Sequence, residues 1–379
     1  MAATARLTVD LAALVGNWKF LAEQAPGAKT AAAVKADAYG LGANEIVPAL
    51  IGAGCRDFFV ADVAEGFRLR RLDPDIRIFV LSPGVAGNAG AIASRQLIPV
   101  LNQRRDAEIW AAFNRQHGEP LPCALHVDTG MNRLGLTLAE AITLTRDLTI
   151  PKTLSPCLLM SHLACADEPG HPKSEEQVRA FTGVADHFRG VPRSLANSAG
   201  IFLGPDYHFD LTRPGIAIYG GAPVTGAENP MLPVAKLEAR ILQIRYAARG
   251  ETVGYGATAK LARASRIAVV GAGYGDGVPR SASGSGVALR EGPNARPAPV
   301  GWLLDYFVPA IGRVSMDLMA FDVTEIPPPL LEQAEWIELF GPHVPIDAFA
   351  YAAGTISYEV LTRIGPRVER LVVENWGPQ

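Results

Sequence analysis

Between residues 30 and 220 short apolar runs alternate with longer segments that mix charged and apolar residues at helical spacing. The apolar runs fall at 30–35, 57–62, 76–81, 97–101, 123–128, 157–162, 193–197 and 209–213 and are read as strands. Helical segments are predicted at 63–72, 106–116, 138–148 and 174–188, the last opening on the capping signal Ser174-Glu175-Glu176. Eight strands separated by helices predict a closed (β/α)8 TIM barrel rather than an open doubly wound sheet. No Gly-x-Gly-x-x-Gly follows the first strand, which weighs against the dinucleotide fold.

After Pro230 the pattern changes. Runs at 234–246, 267–271, 308–311, 319–323 and 336–339 look like strands joined by Gly- and Pro-rich turns, with few helical segments between them. The chain therefore divides into a barrel over 10–230 and a mainly β C-terminal domain over 231–379, with the boundary in the loop 222–232. Pro327-Pro328-Pro329 is read as a stiff surface connection. The stretch 301–307 is more apolar than an exposed loop should be.

In a parallel barrel the chemistry sits at the C-terminal ends of the strands, and polar residues gather there: Lys35, Asp128, His162, Asn197 and Arg213. Lys35 ends an apolar strand and is followed by a small-residue turn, Ala36-Asp37-Ala38-Tyr39-Gly40. A lysine held in low dielectric loses its proton more easily, and its neutral amine can act as nucleophile or base. Schiff-base chemistry with an aldehyde cofactor needs such an amine.

With 379 residues, 49% of them hydrophobic and 19% charged, the chain can fill a barrel core and a second domain. A net charge of −3 with no basic block leaves no footprint for nucleic acid. Apolar stretches are broken well short of a membrane span, and no secretory signal opens the chain, so a cytoplasmic protein is expected. Cys55, Cys123, Cys157 and Cys165 stand at irregular spacings with no Cys-x-x-Cys pair. Reduced thiols and no bound metal are expected.

The blocks 34–42, 128–135, 161–168, 197–199, 213–220, 254–258, 273–277, 312–317 and 355–360 resemble, in order and over essentially the whole chain, those of the alanine racemases. The resemblance implies a pyridoxal 5'-phosphate enzyme that interconverts L- and D-alanine, for peptidoglycan or for alanine catabolism. It also implies that residues 1–9 form a strand joining the second domain. It assigns Lys35 to the cofactor aldehyde and to proton transfer on one face of the substrate, and Tyr274 to the opposite face, with His162 beside Tyr274 and Arg213 behind the histidine. Arg213 would face the pyridine nitrogen. A guanidinium cannot give up its proton, so the nitrogen would stay unprotonated and the ring would be a weaker electron sink.

Tyr39, Asn197, Ser198, Gly215, Ile216 and Tyr358 match the family's other cofactor contacts, most of them to the phosphate. Arg133 and the Met316 amide match its substrate-carboxylate contacts, and Asp167, Arg313 and Asp317 line the approach. Tyr274, Met316 and Asp317 lie in the β domain, which by resemblance serves the barrel of a second subunit in a head-to-tail homodimer. One position departs from the family. Where many members carry a carbamylated lysine that orients the arginine, this chain has His126, so Arg133 needs a bound anion or a hydrogen bond to neutral His126. Ser315 likewise replaces a cysteine found in some relatives. A broad-specificity or serine- or lysine-preferring racemase, an amino-acid decarboxylase and a non-catalytic cofactor carrier remain as alternatives.

Overall fold

A computed structural model describes residues 3–146, 152–290 and 295–376. The chain forms two compact units. One carries the chain up to Leu14, Tyr219–Gly221 and the chain from Met231 onward, and the other carries Val15–Ile218 and Ala222–Pro230.

The second of these is a ring of parallel strands. Ala32–Ala33, Asp57–Val60, Arg77–Val80, Ile98–Leu101, Pro122–His126, Ser155–Met160 and Arg193–Ser194 pair in sequence order. The eighth strand, Leu211–Thr212, pairs in parallel with Lys29–Thr30, which runs directly into the first. Closure is carried by backbone bonds: Ala31 N–H donates to Thr212 O and Ala33 N–H to Pro214 O, both at 2.9 Å. On the other side Arg213 N–H donates to Ala196 O, also at 2.9 Å. A closed ring has no strand edge to protect.

Its interior is filled by Ala31, Phe59, Phe79, Val100, Leu158 and Leu211 among others, with the Phe59 and Phe79 rings stacked at 4.6 Å. The strands read as near-continuous apolar runs because both their faces are covered.

The helices differ from expectation in instructive ways. Val63–Arg70 and Arg104–His117 sit where helices are predicted, and the described part of the 138–148 helix is Leu138–Arg146, residues 147 and 148 lying outside the described residues. The helix predicted at 174–188 starts earlier, as Pro172–Ala185. Pro172 occupies its first turn, the His171 side chain accepts from Lys173 N–H, and the buried Ser174 hydroxyl caps nothing. Leu11–Gln24, Ala43–Ala53 and Val85–Ser94 are helices that the apolar pattern does not announce, because small residues blur their faces.

The other unit is built on an eight-stranded sheet. The N-terminal strand Ala5–Asp10 lies between Ala235–Ala247, antiparallel, and Glu369–Val373, parallel. Ser265–Val270 joins Ala235–Ala247 to Met319–Asp322. The apolar stretch 301–307 is a hairpin, Val300–Leu303 with Tyr306–Pro309, turning through Leu304 and Asp305 at positive φ. Its turn lacks the Asn-Gly or Asp-Gly pair by which such hairpins are usually recognised. The proline run opens a short helix, Pro328–Leu331, instead of a connection.

Phe79 has no exposed surface and stacks on Phe59, so Phe79→Ala is expected to cost about 3–5 kcal/mol of stability, read from the denaturant midpoint of the barrel unit.

Candidate active site

The residues singled out by sequence fall into two groups. Lys35, Tyr39, Arg133, His162, Asp167, Asn197, Ser198, Arg213, Gly215 and Ile216 belong to the barrel unit, whereas Tyr274, Arg313, Met316, Asp317 and Tyr358 belong to the β-rich unit.

Lys35 begins a segment of unusual geometry. Val34 N–H still donates to Phe59 O at 2.9 Å, but Ala36, Asp37, Ala38 and Tyr39 all take φ between 53° and 58°. The small-residue turn is thus one turn of left-handed helix, a conformation that costs L-residues about 1–2 kcal/mol each. Two alanines keep the Cβ crowding low. Asp37 holds the exit, its Oδ1 accepting from Ala43 N–H at 2.9 Å and its carbonyl from Gly42 N–H at 3.0 Å. Burial lowers the Lys35 pKa first and the Arg133 charge second, while Glu65 opposes them.

Arg213 is 6% exposed. Its guanidinium donates to Ser194 Oγ, to Ser161 O at 2.5 Å and to Leu195 O at 3.5 Å, and lies 5.8 Å from the Phe59 ring centroid. These acceptors are all neutral, and its Nε makes no hydrogen bond among the described residues. Burial brings its pKa down to about 9, which leaves it charged at neutral pH. The same charge, with that of Arg133, holds His162 well below its ordinary range, burial being the larger cause. Gln177 anchors this strand end, its Nε2 donating to His162 O at 2.9 Å and to Thr129 Oγ1 at 3.2 Å.

His126 is 8% exposed, and burial, Arg213 and Arg133 lower its pKa to about 4. Its tautomer follows from Asn102, whose Nδ2 donates to Leu81 O at 2.9 Å and Val100 O at 3.1 Å. Asn102 Oδ1 is therefore the acceptor for His126 Nδ1–H at 2.8 Å, and Nε2 keeps its lone pair. Arg133 is exposed and has no hydrogen bond or ion pair among the described residues. The loop before it is turned by Asp128, whose Oδ1 accepts from Gly130, Met131 and Asn132 N–H groups at 2.8, 2.9 and 3.2 Å.

A third corner collects neutral donors. Ser198 Oγ accepts from Gly215 N–H at 2.8 Å and Ala217 N–H at 3.3 Å, and Ile216 opens a 3-10 turn. A Cβ on Gly215 would lie 2.2 Å from Tyr39 Oη, so only glycine lets the Tyr39 phenol reach this backbone. Asn197 Oδ1 accepts from Gly200 N–H at 2.9 Å, which fixes the turn behind Ser198, and Asp167 O accepts from Thr225 N–H at 2.8 Å. Hydroxyls gathered beside the backbone amides that open a 3-10 turn suit a phosphate group.

In the β-rich unit Tyr274 and Met316 are held on one backbone ladder. Tyr274 N–H donates to Ser315 O at 3.1 Å and Gly275 N–H to Met316 O at 2.8 Å. A Cβ on Gly273 would meet both carbonyl oxygens at 2.4 Å, so the glycine is what permits the approach. Arg367 ties the two loops together, donating from Nε to Asp276 at 3.0 Å and from Nη1 to Asp317 at 2.9 Å. Tyr274 is 41% exposed and Met316 53%. Arg313 lies beside Gly256, whose Cβ would be 3.0 Å from its Nη1, in a 420 Å³ groove shared with Val253, Tyr255, Leu318 and Met319. Tyr358 is exposed on the helix Ser357–Thr362.

Asn102, Gln177 and Glu65 go unnoticed in the sequence. Only Glu65 leaves a trace there, as the residue three after Asp62 at a helix start.

Fold and site define a parallel-barrel enzyme with a β-rich second unit and a lysine at the barrel mouth. Family models for the alanine racemase N-terminal domain and C-terminal domain match residues 9–223 and 234–372. The biosynthetic alanine racemase of Agrobacterium fabrum is 52% identical, covering 96% of this chain and 93% of that one, and the alanine racemase of Rhizobium meliloti is 51% identical, covering 98% of each. The crystal structure of alanine racemase from Bartonella henselae with covalently bound pyridoxal phosphate superposes with a TM-score of 0.89 at 36% identity, covering 98% of this chain and 100% of that one. The chain belongs to the alanine racemase family.

The neutral state of His126 has a consequence for stability. Between pH 6.5 and about 4 the unfolded chain binds a proton that the native imidazole does not. Stability at this site is complete above pH 6.5, falls as pH drops toward 4 and levels off below, a total of about 3 kcal/mol. His126→Asn is expected to flatten that slope in denaturant midpoints measured from pH 7 to pH 4.

Proposed function

We propose that this protein is an alanine racemase that interconverts L- and D-alanine with pyridoxal 5'-phosphate, for peptidoglycan or for alanine catabolism. The observation that carries the reading is the pairing of a lysine of lowered pKa with a buried, carboxylate-free arginine whose Nε points to no protein acceptor. The residues fit the cofactor. Lys35 would hold its aldehyde, Arg213 Nε its ring nitrogen, and Tyr39, Ser198 and the amides of residues 215–217 its phosphate, with Asn197 and His162 at its sides. The bound cofactor supplies an electron sink that acidifies the substrate α-C–H.

The rest falls to the protein. Lys35 Nζ takes or returns the α-proton on one face, and Tyr274 Oη does so on the other. Arg213 keeps the sink weak, which suits a reaction that moves one proton and no other group. Arg133 and the Met316 amide hold the substrate carboxylate, Asp167, Arg313 and Asp317 line the way in, and Tyr358 is a further contact to the cofactor phosphate. Arg133, which makes no hydrogen bond among the described residues, would be oriented either by a bound anion or by the Nε2 lone pair of neutral His126.

The barrel of residues 10–230 would carry the cofactor, and the β domain of residues 231–379, joined by the strand of residues 1–9, would complete the site of a second copy. Exposed Tyr274 and Met316 on one short ladder support a homodimer of this kind. A cytoplasmic location suits the reduced cysteines and the amino-acid substrate. Among the described residues no helix is long and apolar enough to cross a membrane.

In deuterated buffer the α-proton signal of alanine should vanish first among a mixture of L-amino acids, with no amine product. Exchange across many amino acids would indicate a broad-specificity racemase, and amine release a decarboxylase. Tyr274→Phe is expected to slow interconversion by about 100-fold or more while one enantiomer still exchanges its α-proton. Retained interconversion in that variant would remove Tyr274 from the mechanism. Dilution to the monomer should abolish racemisation and leave the cofactor attached to Lys35, as mass spectrometry would show.

A further inference from the structure

Glu65 is a carboxylate that the reaction does not use, yet it is only 8% exposed and stands beside the lysine. It occupies the third position of the helix Val63–Arg70, where its own N–H donates to the N-cap carboxylate of Asp62 at 2.9 Å. In an ordinary capping box the glutamate reaches back to the N-cap amide. Here it passes the cap. Oε2 accepts from Ala61 N–H at 2.8 Å, one residue beyond the strand Asp57–Val60, and Oε1 accepts from Ala36 N–H at 2.7 Å. Ala36 is the residue after Lys35 and the first of the left-handed turn.

We propose that Glu65 is a positioning residue: its carboxylate clamps the left-handed turn to the neighbouring strand end and thereby fixes the direction of Lys35. Beside the Glu65 contact, Val34 N–H donates to Phe59 O and Ala38 N–H bonds back to Val34 O, both at 2.9 Å, while bonds around Gly40, Gly42 and Ala43 hold the exit. A residue that leaves the left-handed region re-aims its side chain, so release of the Ala36 amide would swing the lysine away from its strand end. The same carboxylate favours protonated Lys35, against burial and Arg133, and His162, held well below its ordinary range, is a further titratable neighbour. One side chain thus sets both the geometry of the amine and part of its charge.

The inference rests on the proposed role of Lys35, and the experiment separates the two. In cofactor-loaded protein, the visible absorbance of the group bound at Lys35 is titrated with pH, and hydrogen exchange is followed across residues 35–42. Glu65→Gln keeps the size and one acceptor but loses the charge. It is expected to lower the titration midpoint by about one unit. It should also quicken exchange of the turn, and lower kcat by about 100-fold with KM for alanine changed little. Glu65→Asp, which keeps the charge on a shorter arm, should restore most of the midpoint but not the exchange protection. An unchanged midpoint and unchanged exchange in Glu65→Gln overturn the proposal.

A wild-type measurement stands behind the variants, should they fail to fold. Ala36 and Asp37 are both exposed. The Ala36 amide, bonded to Glu65, must exchange far more slowly than that of Asp37, which has no acceptor among the described residues, and equal rates would overturn the clamp. Both spectroscopic readings are independent of turnover. A protein that fails to racemise alanine would refute the proposed function while leaving the clamp to stand or fall on its own data.

Discussion

A guanidinium buried in the barrel without a carboxylate is the constraint on which the rest of this site depends. Removing a charge from water is costly unless hydrogen bonds replace the lost solvation. Arg213 obtains that replacement from Ser194, Ser161 O and Leu195 O, acceptors supplied by the strand ends on its own side of the ring. Its backbone closes the same ring through Ala196 O. Charge and closure are therefore coupled: the barrel must close for the arginine to be solvated by it. Neutral acceptors leave the full positive charge to act outward, where it adds to the larger effect of burial in lowering the pKa of both nearby imidazoles. A carboxylate partner would have cancelled that field.

Close approach is the second theme, and glycine is its agent in each unit. Gly215 lets the Tyr39 phenol come down on the backbone beside Ser198, and Gly273 lets the Tyr274 loop lie against the carbonyls of Ser315 and Met316. A methyl group on Gly273 would collide with backbone carbonyls, and one on Gly215 would displace the Tyr39 phenol. Conformational strain is concentrated in the turn after Lys35, where four successive L-residues are left-handed, held by a bond from Glu65 at the entrance and one from Ala43 at the exit. The strain lies next to the Lys35 amine.

The barrel was legible because a parallel strand buried on both faces writes a short apolar run, and a helix packed on it writes a repeat near 3.6. The runs at 57–62, 76–81 and 97–101 became Asp57–Val60, Arg77–Val80 and Ile98–Leu101. The alanine-rich helices Ala43–Ala53 and Val85–Ser94 left no such mark, since small side chains distinguish poorly between a packed and an open face. The hairpin at 300–309 was missed for a related reason: Leu304 and Asp305 adopt positive φ without the usual residues that announce it. The placement of Lys35 and Arg213 at strand ends was legible from residue type, and the ordered blocks named the family.

The sequence by itself determined the strand and helix periods, the class of chemistry and the family, because these are written in residue types a few positions apart. Tertiary structure alone decided the hand of the turn after Lys35, the tautomer of His126 and the neutral company of Arg213. Those features depend on hydrogen bonds and burial between segments far apart in the chain: Glu65 reaches Ala36 across 29 residues, Asn102 reaches His126 across 24, and Arg213 reaches Ser161 across 52. Local pattern carries no information on such pairs. A dihedral sign, a proton position and a pKa are fixed only when the ring has closed and water has left.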